Sequence, residues 1–177
     1  MIVYQATKQD FAADVETGRI DDIVLERYRE ALGRGVARNE QRSWANSLTA
    51  IHLVLSDAEI PADASVAIEL QIPQTSKRID FIVAGQDADG TDRAVVVELK
   101  QWESADVTAM DGVVRTALGG GIRDVSHPSY QAWSYVELLK DFNEAIYDGD
   151  IGLHACAYLH NFTDTSLGDP FYREWTE

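Results

Sequence analysis

Apolar positions follow two rhythms along this chain, and the change of rhythm divides it. Up to Leu55 they recur every three or four residues, the spacing of one helix face. Thr7 with Asp10 three residues on forms a capping-box pattern, so a short helix opens there and stops near Gly18. A second helix is predicted from Asp21 to Leu32, with Ile23, Val24, Tyr28 and Leu32 as its apolar stripe and Gly33 as its C-cap. Gly33-Arg34-Gly35 reads as a loop. A third helix runs from about Asn39, its N-cap, to Leu55, with Trp44, Leu48, Ile51 and Leu55 facing inward.

Beyond the Pro61 loop the period drops to two. Val66 to Ile72 puts Val66, Ile68, Leu70 and Ile72 on one face. Lys77 to Ala84 puts Ile79, Phe81 and Val83 opposite Arg78, Asp80 and Ile82. The turn Asp87-Ala88-Asp89-Gly90 leads as a hairpin into Arg93 to Trp102. There Ala94 to Val97 lack alternation, the mark of a central strand covered on both faces. A helical piece is expected from about Asp106 to Leu118, followed by Gly119-Gly120-Gly121, which suits a flap. His127-Pro128 starts another helix, running inward-facing through Trp133, Val136, Leu139 and Phe142. Asp148-Gly149 is a turn and Leu153 to Leu159 a last strand. The segment 161–177 has no periodicity.

Composition narrows the class. The 177 residues suit one domain with a sizeable core. Thirty acids against 15 bases give a net charge of −15, which argues against broad, nonspecific phosphate binding but leaves room for a small basic groove or bound divalent cations. The single Cys156 excludes an intramolecular disulfide framework and fits a reducing, cytoplasmic setting. The N-terminus lacks a signal-peptide pattern, and no stretch is long and apolar enough for a membrane span.

The chemistry gathers at the end of the central strand. Glu98 and Lys100 share a strand face about 7 Å apart, where charge is costly unless it is paired or used. If the three strands form a meander, Asp80 joins them, and two carboxylates beside a lysine suit a hard divalent cation that activates water. Gln131 and Tyr135, four apart, share one helix face.

These residues resemble the PD-(D/E)xK nuclease superfamily. Asp80 stands at the first motif position, Glu98-Leu99-Lys100 at the second, and Gln131-Ala132-Trp133-Ser134-Tyr135 matches the Gln-x-x-x-Tyr motif of the RecB-like branch. From Met1 to about Phe162 the chain also looks like the N-terminal domain of bacterial Schlafen group 3-like DNA/RNA helicases. Ile72-Pro73-Gln74-Thr75-Ser76-Lys77-Arg78-Ile79-Asp80, Glu98-Leu99-Lys100-Gln101-Trp102 and His127-Pro128-Ser129-Tyr130-Gln131-Ala132-Trp133 carry that likeness. There is no phosphate loop for a motor, which makes the chain an excised domain or a stand-alone relative. It departs from the superfamily in lacking a proline before Asp80 and in having Ser76-Lys77-Arg78 where a glycine is usual.

The resemblance implies an α/β fold with a restriction-endonuclease-like core, a mixed sheet flanked by helices in the order αβββαβ over residues 39–160, after a helical extension over 1–38. It implies a nuclease acting on DNA, less readily RNA. Asp80 and Glu98 would hold Mg²⁺ or Mn²⁺, with the Leu99 carbonyl as a further ligand and Glu40 completing the set, Glu69 being the runner-up. Lys100 would orient water, and Gln131 and Tyr135 would position Lys100 or the backbone of the nucleic acid. Arg34, Arg38, Arg42, Lys77, Arg78, Arg115 and Arg123 would line the groove, and a P-loop helicase motor, in cis or trans, is the implied protein partner.

Other readings compete. Asp80, Glu98 and Lys100 also suit a structural ion network, and the whole domain a catalytically silent module that binds nucleic acid or docks a motor, which the net acidity favours. Glu40 fits an ordinary first-turn acid. His154, Cys156 and His160 share a strand face but make a poor zinc set, and Cys156 reads better as a small buried hydrophobe.

Overall fold

The computed structural model of the protein describes residues 1–142, 146 and 151–163. Strand β1 (Ile2–Thr7) leads into helices α1 (Lys8–Glu16), α2 (Ile20–Leu32) and α3 (Arg38–Leu55). Then come the strands β2 (Ser65–Gln71), β3 (Arg78–Gln86) and β4 (Asp92–Lys100). Three short strands, β5 (Ala105–Val107), β6 (Val113–Leu118) and β7 (Gly121–Ser126), precede α4 (Pro128–Phe142) and β8 (Ile151–Leu159). The fold is α/β. One mixed sheet has the order β1-β2-β3-β4-β8, antiparallel throughout except where β8 runs parallel to β4. No helix among the described residues is long and apolar enough to cross a membrane.

Helices cover both faces of the sheet. Phe11, Val24, Trp44 and Leu48 of α1–α3 pack with Val66, Ile68, Phe81 and Val97 on one side. Tyr135, Val136 and Leu139 of α4 pack with Ile72, Ile79 and Val96 on the other. Val96 and Val97 thus point into different cores, which accounts for the unbroken apolar run of β4. The hairpin before it forms as predicted: the Asp87 carboxylate accepts from the backbone N–H of Asp89 and Thr91.

Several expectations need correction. The first seven residues are not merely the approach to a helix. Ile2–Thr7 is an edge strand on β2, and burial of the neighbours Val3 and Tyr4 hides the period of two. The segment 1–38 is therefore part of the sheet domain rather than a purely helical extension. Thr7 ends β1 and caps α1, its Oγ1 accepting from Asp10 N at 3.1 Å. Asn39 is inside α3, whose N-cap is Ala37 with no side-chain cap.

The single-face alternation assigned to β2 and β3 breaks at one rung. Val66 and Ile68 join the α1–α3 core, whereas Leu70 and Ile72 join the α4 core, and Phe81 and Ile79 divide in the same way. The pairs Ile68↔Phe81 and Leu70↔Ile79 bracket Glu69 and Asp80. Glu69 has φ 58, a left-handed conformation that costs a non-glycine residue about 1–3 kcal/mol and re-aims the strand.

The helix expected from Asp106 to Leu118 is absent. The β-branched run Val113-Val114-Arg115-Thr116 alternates instead, Val114 and Thr116 buried, and forms the centre of the β5-β6-β7 sheet. Gly119 and Gly120, at φ 60 and 81, form the two-residue turn between Leu118 and Gly121, a geometry open to glycine at both positions. On α4 the inward stripe is Ala132, Tyr135, Val136 and Leu139, and Trp133 is exposed rather than inward. Cys156 is exposed because β8 is the edge of the sheet. The Phe142 side chain, the Asp148-Gly149 turn and the irregular tail from 164 on lie outside the described residues.

Candidate active site

Register brings the predicted acids together. Phe81 pairs with Val97, so one rung further Asp80 meets Glu98, and the Asp80 Oδ2 accepts from Leu99 N at 3.0 Å. Glu98 is 1% exposed. Its Oε1 takes two donors: the Lys100 ammonium, in an ion pair, and Gln131 Nε2 at 2.6 Å. Gln131 Nε2 is also 2.8 Å from the Tyr135 hydroxyl. Lys100 stands 5.8 Å from the centre of the Trp102 ring. Asp80, Glu98, Lys100, Gln131 and Tyr135 therefore converge, with Gln131 holding Glu98 rather than Lys100.

Burial raises the Glu98 carboxyl to about 8, and the Asp80 charge beside it pushes the same way against the pull of Lys100. Asp80 is raised as well, chiefly by burial, with Lys100 and the Leu99 N–H opposing. Two ionised carboxylates are acceptors only, so their close approach requires a proton or a cation between them. Glu98 Oε2 is buried with no hydrogen-bond donor among the described residues. An oxygen-rich pair that must otherwise share a proton suits Mg²⁺ or Mn²⁺ in the proton's place.

Glu40 does not join that pair. Its Oε1 is taken by Arg78 Nη2 at 2.7 Å, and no group of three His, Cys, Asp or Glu side chains suited to a metal occurs among the described residues. That also disposes of the His154, Cys156 and His160 set, in which His160 Nε2 lies 3.0 Å from Ser47 Oγ. Arg78, expected as a groove base, does line the cavity over the site, and it is also the hub of an ion network. It pairs with Glu40 and with Glu69, and its Nη1 reaches the Tyr28 hydroxyl at 3.3 Å. Glu69, 3% exposed, also accepts from Trp44 Nε1 at 2.7 Å. Burial lifts its carboxyl to about 7 against the opposing charge of Arg78.

A cavity of about 760 Å³ opens over this arrangement, lined by Glu40, Glu69, Arg78, Asp80, Lys100 and Gln131 among others, and bounded by Leu118 and Ser126 of the small sheet. Arg38, Arg42, Lys77, Arg115 and Arg123 do not line it. Arg38 and Arg42 are exposed and sit two helix positions from Glu40 and Trp44, about 200° around α3. Arg115 forms a two-pronged pair with Asp124 at 2.6 and 2.9 Å on the small sheet. Lys77 borders a second cavity, and Arg34 is exposed after α2.

Sequence reasoning missed the contribution of the small sheet, because that segment was read as helix, and the Trp44–Glu69–Arg78 network. The signal for the network was Glu69 itself, a carboxylate interrupting an alternating strand. Comparison of the chain with protein-family models, with curated proteins and with solved structures returns no match.

Proposed function

We propose that the chain is a metal-dependent nuclease domain of the PD-(D/E)xK type, with a restriction-endonuclease-like core, that hydrolyses phosphodiester bonds of DNA. One observation carries the reading: Asp80 and Glu98 adjoin at the end of a covered strand, beside Lys100, with a buried Glu98 oxygen left without a donor. Mg²⁺ or Mn²⁺ held there would supply Lewis-acid charge stabilisation and a more acidic water. Asp80 and Glu98 would hold the ion through carboxylate oxygens, and Gln131 fixes the Glu98 rotamer. Lys100 reaches the cavity and offsets the negative charge that builds on the phosphate oxygens as water attacks. Arg78 keeps Glu40 and Glu69 neutralised next to that chemistry.

A second reading, a silent module that binds nucleic acid or docks a helicase motor, is favoured by the net charge of −15 and by the six expected groove bases, Arg34 included, that do not line the cavity. Incubation of labelled single- and double-stranded DNA with Mg²⁺ or Mn²⁺ separates the two. The nuclease predicts metal-dependent cleavage by the wild type that is lost in Glu98→Ala and Lys100→Ala of unchanged circular dichroism. A wild type that neither cleaves nor binds Mn²⁺ leaves the silent module.

A further inference from the structure

Lys100 and Arg78 both line the cavity over the candidate site, and they are engaged differently. Lys100 is paired with the Glu98 carboxylate, whereas Arg78 is shared between two acids. Its Nε faces Glu69, a buried side chain that also accepts from Trp44 Nε1 at 2.7 Å. Its Nη2 is taken by Glu40 at 2.7 Å, and the Glu40 side chain is 35% exposed. Nη1 reaches the Tyr28 hydroxyl at 3.3 Å, and the Tyr28 ring centre lies 5.8 Å from the guanidinium. One edge of the fork is thus anchored in the fold, and the other is given to a carboxylate that water can reach. Glu40 belongs to the first turn of α3, where the helix dipole favours an anion, so it keeps a favourable place without Arg78.

We propose that the outer edge of Arg78 is a phosphate subsite of the cavity and that Glu40 is its displaceable plug, a carboxylate standing where a backbone phosphate of the nucleic acid binds. The inference rests on the nuclease reading, which supplies the anion. A guanidinium presents its N–H fork to carboxylate and phosphate alike, so the two anions compete for one edge. Glu69 is the acid that stays, because burial and the Trp44 donor hold it. Glu40 is the acid that leaves, since a partly exposed ion pair is worth little and the freed carboxylate is rehydrated. Arg78 and Asp80 stand two residues apart on β3, no more than about 7 Å along the strand, and both border the cavity. A nucleic-acid strand whose scissile phosphate faces Asp80 and Glu98 therefore brings a neighbouring phosphate to Arg78. The rest of the wall decides when the exchange occurs. Glu40, Glu69 and Asp80 outnumber Arg78 and Lys100, with Glu98 behind Lys100, so the wall by itself repels a phosphate. A divalent cation at Asp80 and Glu98 reverses that balance, and the departure of Glu40 removes one more negative charge from the mouth.

The test is binding of a labelled single-stranded DNA, read by fluorescence anisotropy with Ca²⁺ present over a series of salt concentrations. Wild type, Glu40→Ala, Arg78→Met and the double variant are compared, each checked by circular dichroism. The set is repeated in a Glu69→Gln background, where loss of Arg78 strands no buried carboxylate. Glu40→Ala should bind about 2- to 5-fold more tightly than wild type, the worth of a partly exposed ion pair that binding no longer breaks. Arg78→Met should bind more weakly and lower the salt slope by about one phosphate contact. In the Arg78→Met background, Glu40→Ala should gain nothing. Unchanged or weaker binding by Glu40→Ala overturns the plug, and so does an equal gain in both backgrounds, which a general loss of negative charge would produce. Arg78→Met with wild-type affinity and slope, or a wild type that binds no DNA, overturns the subsite. Cleavage that depends on Glu98 with no effect of Glu40 on binding would sink the plug and leave the nuclease standing. A gain in Glu40→Ala that needs Arg78, without cleavage by any variant, would do the reverse.

Discussion

Gln131 spans the gap between helix and sheet to hold Glu98: its Nε2 lies 2.6 Å from the Oε1 that also receives the Lys100 ammonium. Both donors are on one oxygen, and Oε2 has no donor among the described residues. The four-residue spacing of Gln131 and Tyr135 extends the tie, because the tyrosine hydroxyl backs the amide at 2.8 Å.

Gln131→Ala should therefore lower Mn²⁺ affinity or cleavage about 10- to 100-fold, the usual cost of losing a group that orients a ligand. Calorimetric titration with Mn²⁺ and the rate of single-turnover cleavage both report it. Thermal unfolding should change little, since the amide is not part of either apolar core. Tyr135→Phe removes only the backing hydroxyl and should show a smaller loss in the same direction.

Stability without divalent ions should fall as pH rises. The Glu98 carboxyl goes from 4.5 to about 8 on folding, and Glu69 from 4.5 to about 7. A carboxyl raised in this way binds its proton more tightly when folded. Its penalty is absent below the unfolded value, grows from about pH 4.5, and is complete above the folded value. Urea midpoints measured in a chelator should drop between about pH 5 and pH 8. Glu98→Gln should flatten that slope and be the more stable protein at the alkaline end. A wild-type midpoint that rises over this range contradicts the assignment.

The same proton competes with a cation. Around pH 6 the Asp80–Glu98 pair retains it, so Mn²⁺ must displace it on binding. Mn²⁺ affinity should climb by up to about tenfold per pH unit toward pH 8 and then level off. Titrations in buffers of different ionisation enthalpy should show the release of about one proton near neutrality. Pair-independent, pH-invariant binding would place the ion elsewhere.

The sequence was most informative where chemistry followed local spacing. The i to i+2 step of Glu98 and Lys100, the i to i+4 step of Gln131 and Tyr135, and the hairpin turn at Asp87 are each set by one element's geometry, and their convergence with Asp80 required only a meander. The fate of Glu40 was not legible, because its partner Arg78 is 38 positions away and nothing local announces that the two will meet. Trp133 was assigned inward from its apolarity alone, although Ala132, Tyr135, Val136 and Leu139 already complete a helix stripe. In residues 113–118 the β-branched run was a strand signal that the expectation of a helix overrode. The role of Glu69, named only as a second-choice ligand, escaped for a different reason: its left-handed backbone reverses the facing of β2 without any glycine to mark the place.

Arg78 should matter more to stability than its partial exposure suggests. It neutralises Glu69, which is 3% exposed, and Glu40 at the mouth of the cavity. Without Arg78 the Glu69 carboxyl, already near 7, takes up a proton and Glu40 loses its partner, so Arg78→Met should cost about 1–3 kcal/mol near neutral pH and more at alkaline pH. Glu69→Gln leaves Trp44 Nε1 an acceptor and removes the charge, so it should cost less. The double variant decides the cause. If the damage is the stranded carboxylate, Glu69→Gln in the Arg78→Met background restores part of the loss, giving a coupling of about 0.5–3 kcal/mol. Simple additivity of the two would mean that Arg78 stabilises the fold through its packing on Tyr28, whose ring centre is 5.8 Å from the guanidinium, and not through its charge.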